Sequence, residues 1–169
     1  MSYCMIYPIN TNHLYLRYTN LLLWLSVFYF YTNHKKPYIE YILAVFLIIT
    51  IFWSQLFWKY PVKHSFIHTI DAIVAKITIV SFILYTILYK FSLFYLFVLL
   101  CICITSYYSN YYSSQIWCSN DHLYWHGILH ICCFIATFFA FSPIEESNHL
   151  AWEYFIHLLY DSHPYQHHF

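Results

Sequence analysis

Five long apolar runs, separated by short polar segments, constrain the fold of this chain more than any other feature. The runs cover about 14–32, 38–58, 64–89, 91–108 and 122–142. Each is close to the ~20 residues that an α-helix needs to cross the hydrocarbon of a bilayer. Only 8% of the residues are charged, against about a quarter in a soluble domain. The sequence therefore predicts an all-α, multi-spanning transmembrane helical bundle with about five spans, and thus an integral, multi-pass membrane protein.

The ends of the chain differ from this pattern. Residues 1–143 form the predicted transmembrane domain, and 144–169 form a polar, His-rich tail. The apolar stretch at 150–160 is too short to cross a membrane, so we expect a short amphipathic helix at the interface. The N-terminal segment lacks the charged and apolar regions of a signal peptide, and we expect none to be cleaved. Zero net charge argues against a nucleic-acid partner; the predicted partner is the lipid bilayer.

A few polar side chains fall well inside the apolar runs, where an ionisable group is costly and indicates a functional site by default. They are Ser54, His68, Asp71, Lys76, His126 and His130. Three others, Glu40, His64 and His122, fall at the ends of runs, where we expect water to be near. The first set therefore supplies the candidate site residues.

The order of the spans brings most of these residues to one side of the membrane. The second span ends on the face where the third and the fifth begin, so Ser54 lies at a depth similar to that of the histidines. His68 and Asp71 are three residues apart, and His126 and His130 four, so each pair shares a helix face. Three histidines with water form an open zinc site, and a nearby carboxylate can orient such ligands.

A structural role for the same residues stays open. An i, i+4 histidine pair can hydrogen-bond to backbone or to hydroxyl groups of adjacent helices, and His68 with Asp71 can form a closed pair that fixes helix packing. Gly127 is the single glycine of the sequence. It lies beside His126 and permits close approach of a neighbouring backbone or a substrate chain.

Three segments of the chain resemble the CREST superfamily of membrane hydrolases and receptors, which includes the alkaline ceramidases and the progestin/adiponectin-type receptors. The segments are WSQLFW, HTIDAIVAKI and WHGILHICCF. The resemblance covers roughly 50–90 and 120–140. It implies a seven-helix membrane protein with a buried zinc ion held by three histidines, and with a Ser and an Asp nearby.

Residue by residue, the resemblance assigns Ser54, Asp71, His126 and His130 to the site. Two features depart from the family pattern. Trp58 stands where the family has its first zinc histidine, and the sequence has five predicted spans rather than seven. We expect His68 to take over the missing ligand role, with His64 as the weaker candidate.

The function predicted on this basis is zinc-dependent hydrolysis of a lipid amide, with a ceramide-like substrate. Zinc would activate water and polarise the amide carbonyl, Asp71 would carry the proton and Ser54 would hold the carbonyl oxygen. One alternative is a non-catalytic, metal-binding or receptor-like protein of the same superfamily. Others are a haem protein that uses His68 opposite His126 or His130, and an accessory membrane protein without a cofactor.

Overall fold

The computed structural model describes residues 13–32, 36–90, 92–115, 117 and 119–143, and the regular structure within these ranges is helical. The helices are α1 (His13–Leu21), α2 (Leu23–Thr32), α3 (Tyr38–Lys59), α4 (Phe66–Tyr89), α5 (Leu93–Gln115) and α6 (Asn120–Phe141). The predicted all-α class is therefore confirmed. The tail at 144–169, with its predicted interfacial helix, lies outside the described residues.

Four of these helices, α3 to α6, are long and apolar enough to cross a membrane, which confirms the predicted multi-pass membrane protein. Their bounds agree with the predicted spans to within a few residues, except at the end of α5. The segment after residue 108 was expected to be a connector, but the helix continues to Gln115. Of the polar residues in this last part, Ser109 and Ser113 are buried, while Asn110, Ser114 and Gln115 are exposed.

The first predicted span consists of two helices instead of one. At Leu22 the backbone changes to tighter i→i−3 bonds, with the Leu22 N–H donating to the carbonyl of Thr19 and the Leu25 N–H to that of Leu22. The Thr19 hydroxyl also donates to the carbonyl of Leu16, a type of back-bonding that bends helices. With Leu22, α1 and α2 still cover residues 13–32, about 30 Å of helix.

The helices alternate in direction. Arg17 of α1 bonds to Gln55 near the end of α3, so the α1–α2 pair is antiparallel to α3. Thr19 lies against His130 and Ser26 against Thr137, which makes the pair parallel to α6. The ends of α3 and the starts of α1, α4 and α6 therefore meet at one end of the bundle, as the order of the spans predicted.

The main core lies away from this end. It contains Leu23, Val27, Phe30, Leu43, Ala44, Leu47, Ile51, Phe82, Tyr85, Ala140 and Phe141. A smaller cluster of Leu16, Phe57, Trp58 and Leu123 packs at the histidine end. Two packed apolar clusters thus hold the helices that position the candidate site.

A buried ion pair closes the opposite end of the bundle. Lys90, just after α4, lies 3.4 Å from the carboxylate of Glu40 in the first turn of α3. Tyr85 donates a hydrogen bond to the same carboxylate, and the Lys90 ammonium donates to the backbone carbonyl of Ser142. Burial lowers the pKa of Lys90 while Glu40 opposes that shift. The expectation that Glu40 lies near water is wrong: it is buried, because Lys90 compensates its charge.

Removing one partner of this ion pair should destabilise the protein more than removing both. Lys90→Met removes one partner and leaves the Glu40 charge buried, so we expect the free energy of unfolding in detergent to fall by about 3–5 kcal/mol. Lys90→Met combined with Glu40→Gln removes both charges and should recover most of that loss. Lys59→Met, at an exposed position, serves as the control. A double variant as unstable as Lys90→Met would contradict the ion-pair explanation.

Candidate functional site

Two serine caps position the histidines that begin α4 and α6. Ser65 precedes α4, and its hydroxyl accepts a hydrogen bond from the backbone N–H of His68. Ser119 precedes α6 and accepts in the same way from the N–H of His122. Since capping fixes where a helix starts, these serines set the depth at which both histidines enter the bundle.

Three histidines of α6 form a ladder along one face of the helix. His122, His126 and His130 follow one another at four-residue intervals, the spacing that places side chains in adjacent turns on the same face. The ring centroids of His122 and His126 are 5.6 Å apart, and those of His126 and His130 are 5.0 Å apart. We call these three residues the histidine ladder.

Neighbouring helices hold the Nδ1 atoms of the ladder. Nδ1 of His130 lies 2.8 Å from the hydroxyl oxygen of Thr19 in α1, and Nδ1 of His126 lies 3.2 Å from that of Ser113 in α5. Nδ1 of His122 lies 2.6 Å from the backbone carbonyl oxygen of Ser113. The histidines therefore have the structural role described above as an alternative, because each one forms a contact between α6 and another helix.

The same contacts decide which ring nitrogen is available. A carbonyl oxygen only accepts, so Nδ1 of His122 carries the proton and Nε2 of the neutral ring is an acceptor. The proton of the Thr19 hydroxyl goes to the carbonyl of Leu16, so Thr19 accepts from Nδ1 of His130. In His126 the Nδ1 position is taken by Ser113. In all three rings Nε2 is the nitrogen left for a ligand.

The predicted residues of α3 and α6 lie at the same end of the bundle. Ser54 is buried one helical turn from Trp58, and the Trp58 ring contacts that of His126 at 4.9 Å between centroids. Trp58 is fully buried. Trp58 therefore places a buried indole against the first histidine of the predicted pair.

The predicted His68 of α4 lies in an aromatic cluster at the start of the ladder. The His68 ring contacts Phe57 at 4.9 Å and Trp117 at 5.7 Å, and the Trp117 ring contacts His122 at 4.8 Å. Trp117 therefore contacts both His68 and the first ring of the ladder. Asp71 is half-buried one turn further along α4, and Lys76 is exposed.

No group of three or more His, Cys, Asp or Glu side chains is arranged to hold a metal ion among the residues that the structure describes. The proposed set of His68, His126 and His130 is therefore brought together only in part. His126 and His130 are adjacent, while His68 is associated with the aromatic rings at the helix ends. His64, the weaker candidate, is exposed, and its backbone N–H donates to Nδ1 of His68.

Sequence reasoning missed three residues of the site. His122 was placed near water, but it is only 2% exposed. The signal that could have found it is its position four residues before His126, which extends the predicted pair by one turn. Thr19 and Ser113 gave no comparable signal, because hydroxyl residues are ordinary in membrane helices and their partners are distant in sequence.

Gly127 permits the close approach that its sequence position suggested, and the neighbour is Tyr15 of α1. A Cβ atom on Gly127 would lie 2.8 Å from Cε1 of the Tyr15 ring. Tyr15 lies one turn before Thr19, and Gly127 nearly one turn before His130. The small residue therefore lets α1 approach α6 beside the Thr19–His130 hydrogen bond.

Substitutions at Gly127 test this contact. The Tyr15 ring is 48% exposed and can shift, so we expect Gly127→Ala to change the free energy of unfolding by less than about 1 kcal/mol, with better helix propensity offsetting the displaced ring. Gly127→Leu should cost about 1–3 kcal/mol because α1 must move away from α6. Unfolding in detergent measures both, with Thr105→Leu on the exposed face of α5 as control. Equal stability of the Leu variant and the parent would contradict close packing at Gly127.

Comparisons with known proteins give no relative from which a role could be inferred: no protein-family model, no curated protein and no solved structure matches this chain.

Proposed function

We propose that this membrane protein binds one divalent metal ion of the zinc type through His126 and His130. The observation that carries the proposal is the adjacency of these two imidazoles inside a membrane-spanning helix, with 5.0 Å between their ring centroids. Imidazole nitrogen is a preferred ligand of zinc and of related transition metals. An intramembrane histidine pair is costly unless it serves packing or function.

The hydrogen bonds of the pair support metal binding. Histidines that bind metals usually offer one ring nitrogen to the ion while the other donates to an oxygen of the protein. Thr19 accepts from Nδ1 of His130, and Ser113 lies within hydrogen-bond distance of Nδ1 of His126. Both rings are thus oriented by the protein with Nε2 left for the ion.

The chain supplies two ligands to this site rather than the three that the resemblance implies. His122 and His130 are eight residues apart, about 12 Å along the helix axis, so they cannot both ligate one ion with His126. Trp117 stands beside His68, and Trp58 fills the family position of the first zinc histidine. The residues present therefore fit a two-histidine site, with the remaining coordination positions open to other ligands.

Metal content tests the proposal. The full-length protein should be purified in detergent with the five tail histidines changed to Gln, so that only the transmembrane part is assayed; they are His149, His157, His163, His167 and His168. Equilibrium dialysis should give about one zinc per chain. His126→Ala combined with His130→Ala should lose it. A parent that binds no zinc would overturn the proposal.

Single variants distinguish the two-histidine site from the set of His68, His126 and His130 predicted from the sequence. Because His68 and His122 lie outside the two-histidine site, His68→Ala and His122→Ala should each retain the bound ion. Loss of zinc in His68→Ala alone would favour the three-histidine set derived from the sequence. Folding of every variant can be checked by circular dichroism and gel filtration.

Hydrolysis of a lipid amide is the second candidate function, and one observation favours it. Ser54 is buried and lies on the same face of α3 as Trp58, one helical turn deeper in the membrane, and Trp58 contacts His126. The Ser54 hydroxyl can therefore face the histidine pair and donate a hydrogen bond to a substrate carbonyl oxygen. A bound zinc ion would supply Lewis acidity, and Asp71 would act as proton carrier from α4.

The hydrolase hypothesis has a direct assay. Release of fatty acid from an N-acyl sphingoid substrate should fall about 10²-fold or more in Asp71→Asn if Asp71 carries the proton. Asp121→Asn, an exposed carboxylate in the first turn of α6, should leave the rate unchanged. Zinc binding without fatty-acid release would leave a non-catalytic metal protein as the function.

A further inference from the structure

Three aromatic rings from three parts of the chain meet beside the histidine ladder, and we call them the Trp–His cluster. Trp58 ends α3, Trp117 lies in the connection after α5, and His122 is in the first turn of α6. The ring centroids of the two indoles are 6.4 Å apart. His122 lies 6.0 Å from Trp58 and 4.8 Å from Trp117. Each ring of the Trp–His cluster therefore contacts the other two.

Each member of this cluster has a buried polar atom without a hydrogen-bond partner: Nε1 of Trp58, Nε1 of Trp117 and Nε2 of His122. In the described ranges, the only other such side-chain atoms are those of Asn20 and Ser109. A buried donor or acceptor left unpaired costs about 1–3 kcal/mol. Three at one place therefore indicate that a ligand belongs there.

The chemistry of the three nitrogens defines that ligand. An indole N–H can only donate, so both tryptophans require an acceptor. His122 donates through Nδ1 to the Ser113 carbonyl, so its Nε2 is an acceptor and requires a donor. A hydroxyl group meets all three requirements, because its oxygen accepts two hydrogen bonds and its proton can be donated.

We propose that the Trp–His cluster binds one hydroxyl group, supplied either by a water molecule or by the headgroup of a lipid. A metal cation is excluded by the two indole donors and by Lys63, whose ammonium lies 5.6 Å from the centre of the Trp117 ring. A simple anion would be repelled by the lone pair on Nε2 of His122. The cluster lies where α3 ends, so headgroups are within reach at the membrane interface, where tryptophan is enriched.

Ultraviolet resonance Raman spectroscopy tests the proposal, because one indole band reports the strength of the N–H hydrogen bond. The spectrum of the parent minus that of Trp58→Phe isolates Trp58 in the folded protein. Trp125→Phe is the control, since Trp125 stacks on Tyr112 away from the cluster. We expect the isolated band at its hydrogen-bonded position, and a band at the free N–H position would overturn the proposal.

Two arms identify the source of the hydroxyl. The protein is reconstituted in phosphatidylcholine vesicles, which offer no headgroup hydroxyl, with or without added monoacylglycerol. If the Trp58 band lies at its hydrogen-bonded position with and without monoacylglycerol, the hydroxyl group belongs to water. If that position is reached only with monoacylglycerol, the hydroxyl group belongs to a lipid. A band at the free N–H position in both preparations contradicts a bound hydroxyl.

The role of His122 provides a second readout. His122→Leu removes the acceptor for the hydroxyl proton, and the Trp58 band should shift towards the free position. An unchanged band would show that the partner is an oxygen without a proton, such as a phosphate or ester oxygen, and would overturn the proposal. Should Trp58→Phe fail to fold, Trp117→Phe isolates the second indole for the same measurements. All of these spectra are recorded on metal-free protein, so neither outcome depends on metal bound at His126 and His130.

Discussion

Inside a membrane, apolar side chains provide little force to bring helices together, because lipid tails solvate them as well as other helices do. The packing of this bundle therefore depends on hydrogen bonds between helices and on close contacts. One seam supplies both: Gly127 against Tyr15, His130 against Thr19, and Thr137 against Ser26. Along α6 these positions lie 3 and 7 residues apart, spacings that keep side chains on one face of packed helices. The broken α1–α2 pair is held in place by this seam.

The dependence on interhelical hydrogen bonds explains why the histidine ladder can serve structure and binding together. A neutral imidazole has two nitrogens, and one hydrogen bond to a neighbouring helix uses only one of them. Thr19 and Ser113 thus fasten α6 to α1 and α5 and also orient His130 and His126. Packing through Nδ1 leaves Nε2 of the same ring as the nitrogen that another group can use, as in His122, whose buried Nε2 has no hydrogen-bond partner.

Features of the structure that depend on the length of the apolar runs and on the helical repeat could be predicted from the sequence. It predicted the all-α class, the bounds of α3 to α6 within a few residues except at the end of α5, and the shared end of the bundle for Ser54 and His126. It missed features set by tertiary contacts or by single side-chain hydrogen bonds. Burial of Glu40 requires Lys90 fifty residues later, and the break at Leu22 follows from local bonds of Thr19. The packing of His68 against Trp117 could not be foreseen, because Trp117 lies in a segment with no periodic signal.

Trp58 bears on both proposed sites. An indole cannot ligate zinc through its ring N–H, so Trp58, which packs against His126, supplies no ligand to the proposed metal pair. The same indole brings a buried donor to the region shared with Trp117 and His122. The chemistry of this side chain therefore favours the proposed hydroxyl site over a third metal ligand. The two proposed sites share the face of α6 but use different members of the ladder: His130 belongs to the metal pair, and His122 to the hydroxyl site. Because Ser113 contacts both His122 and His126 and Trp58 packs against His126, occupancy of either site can affect the other through these side chains.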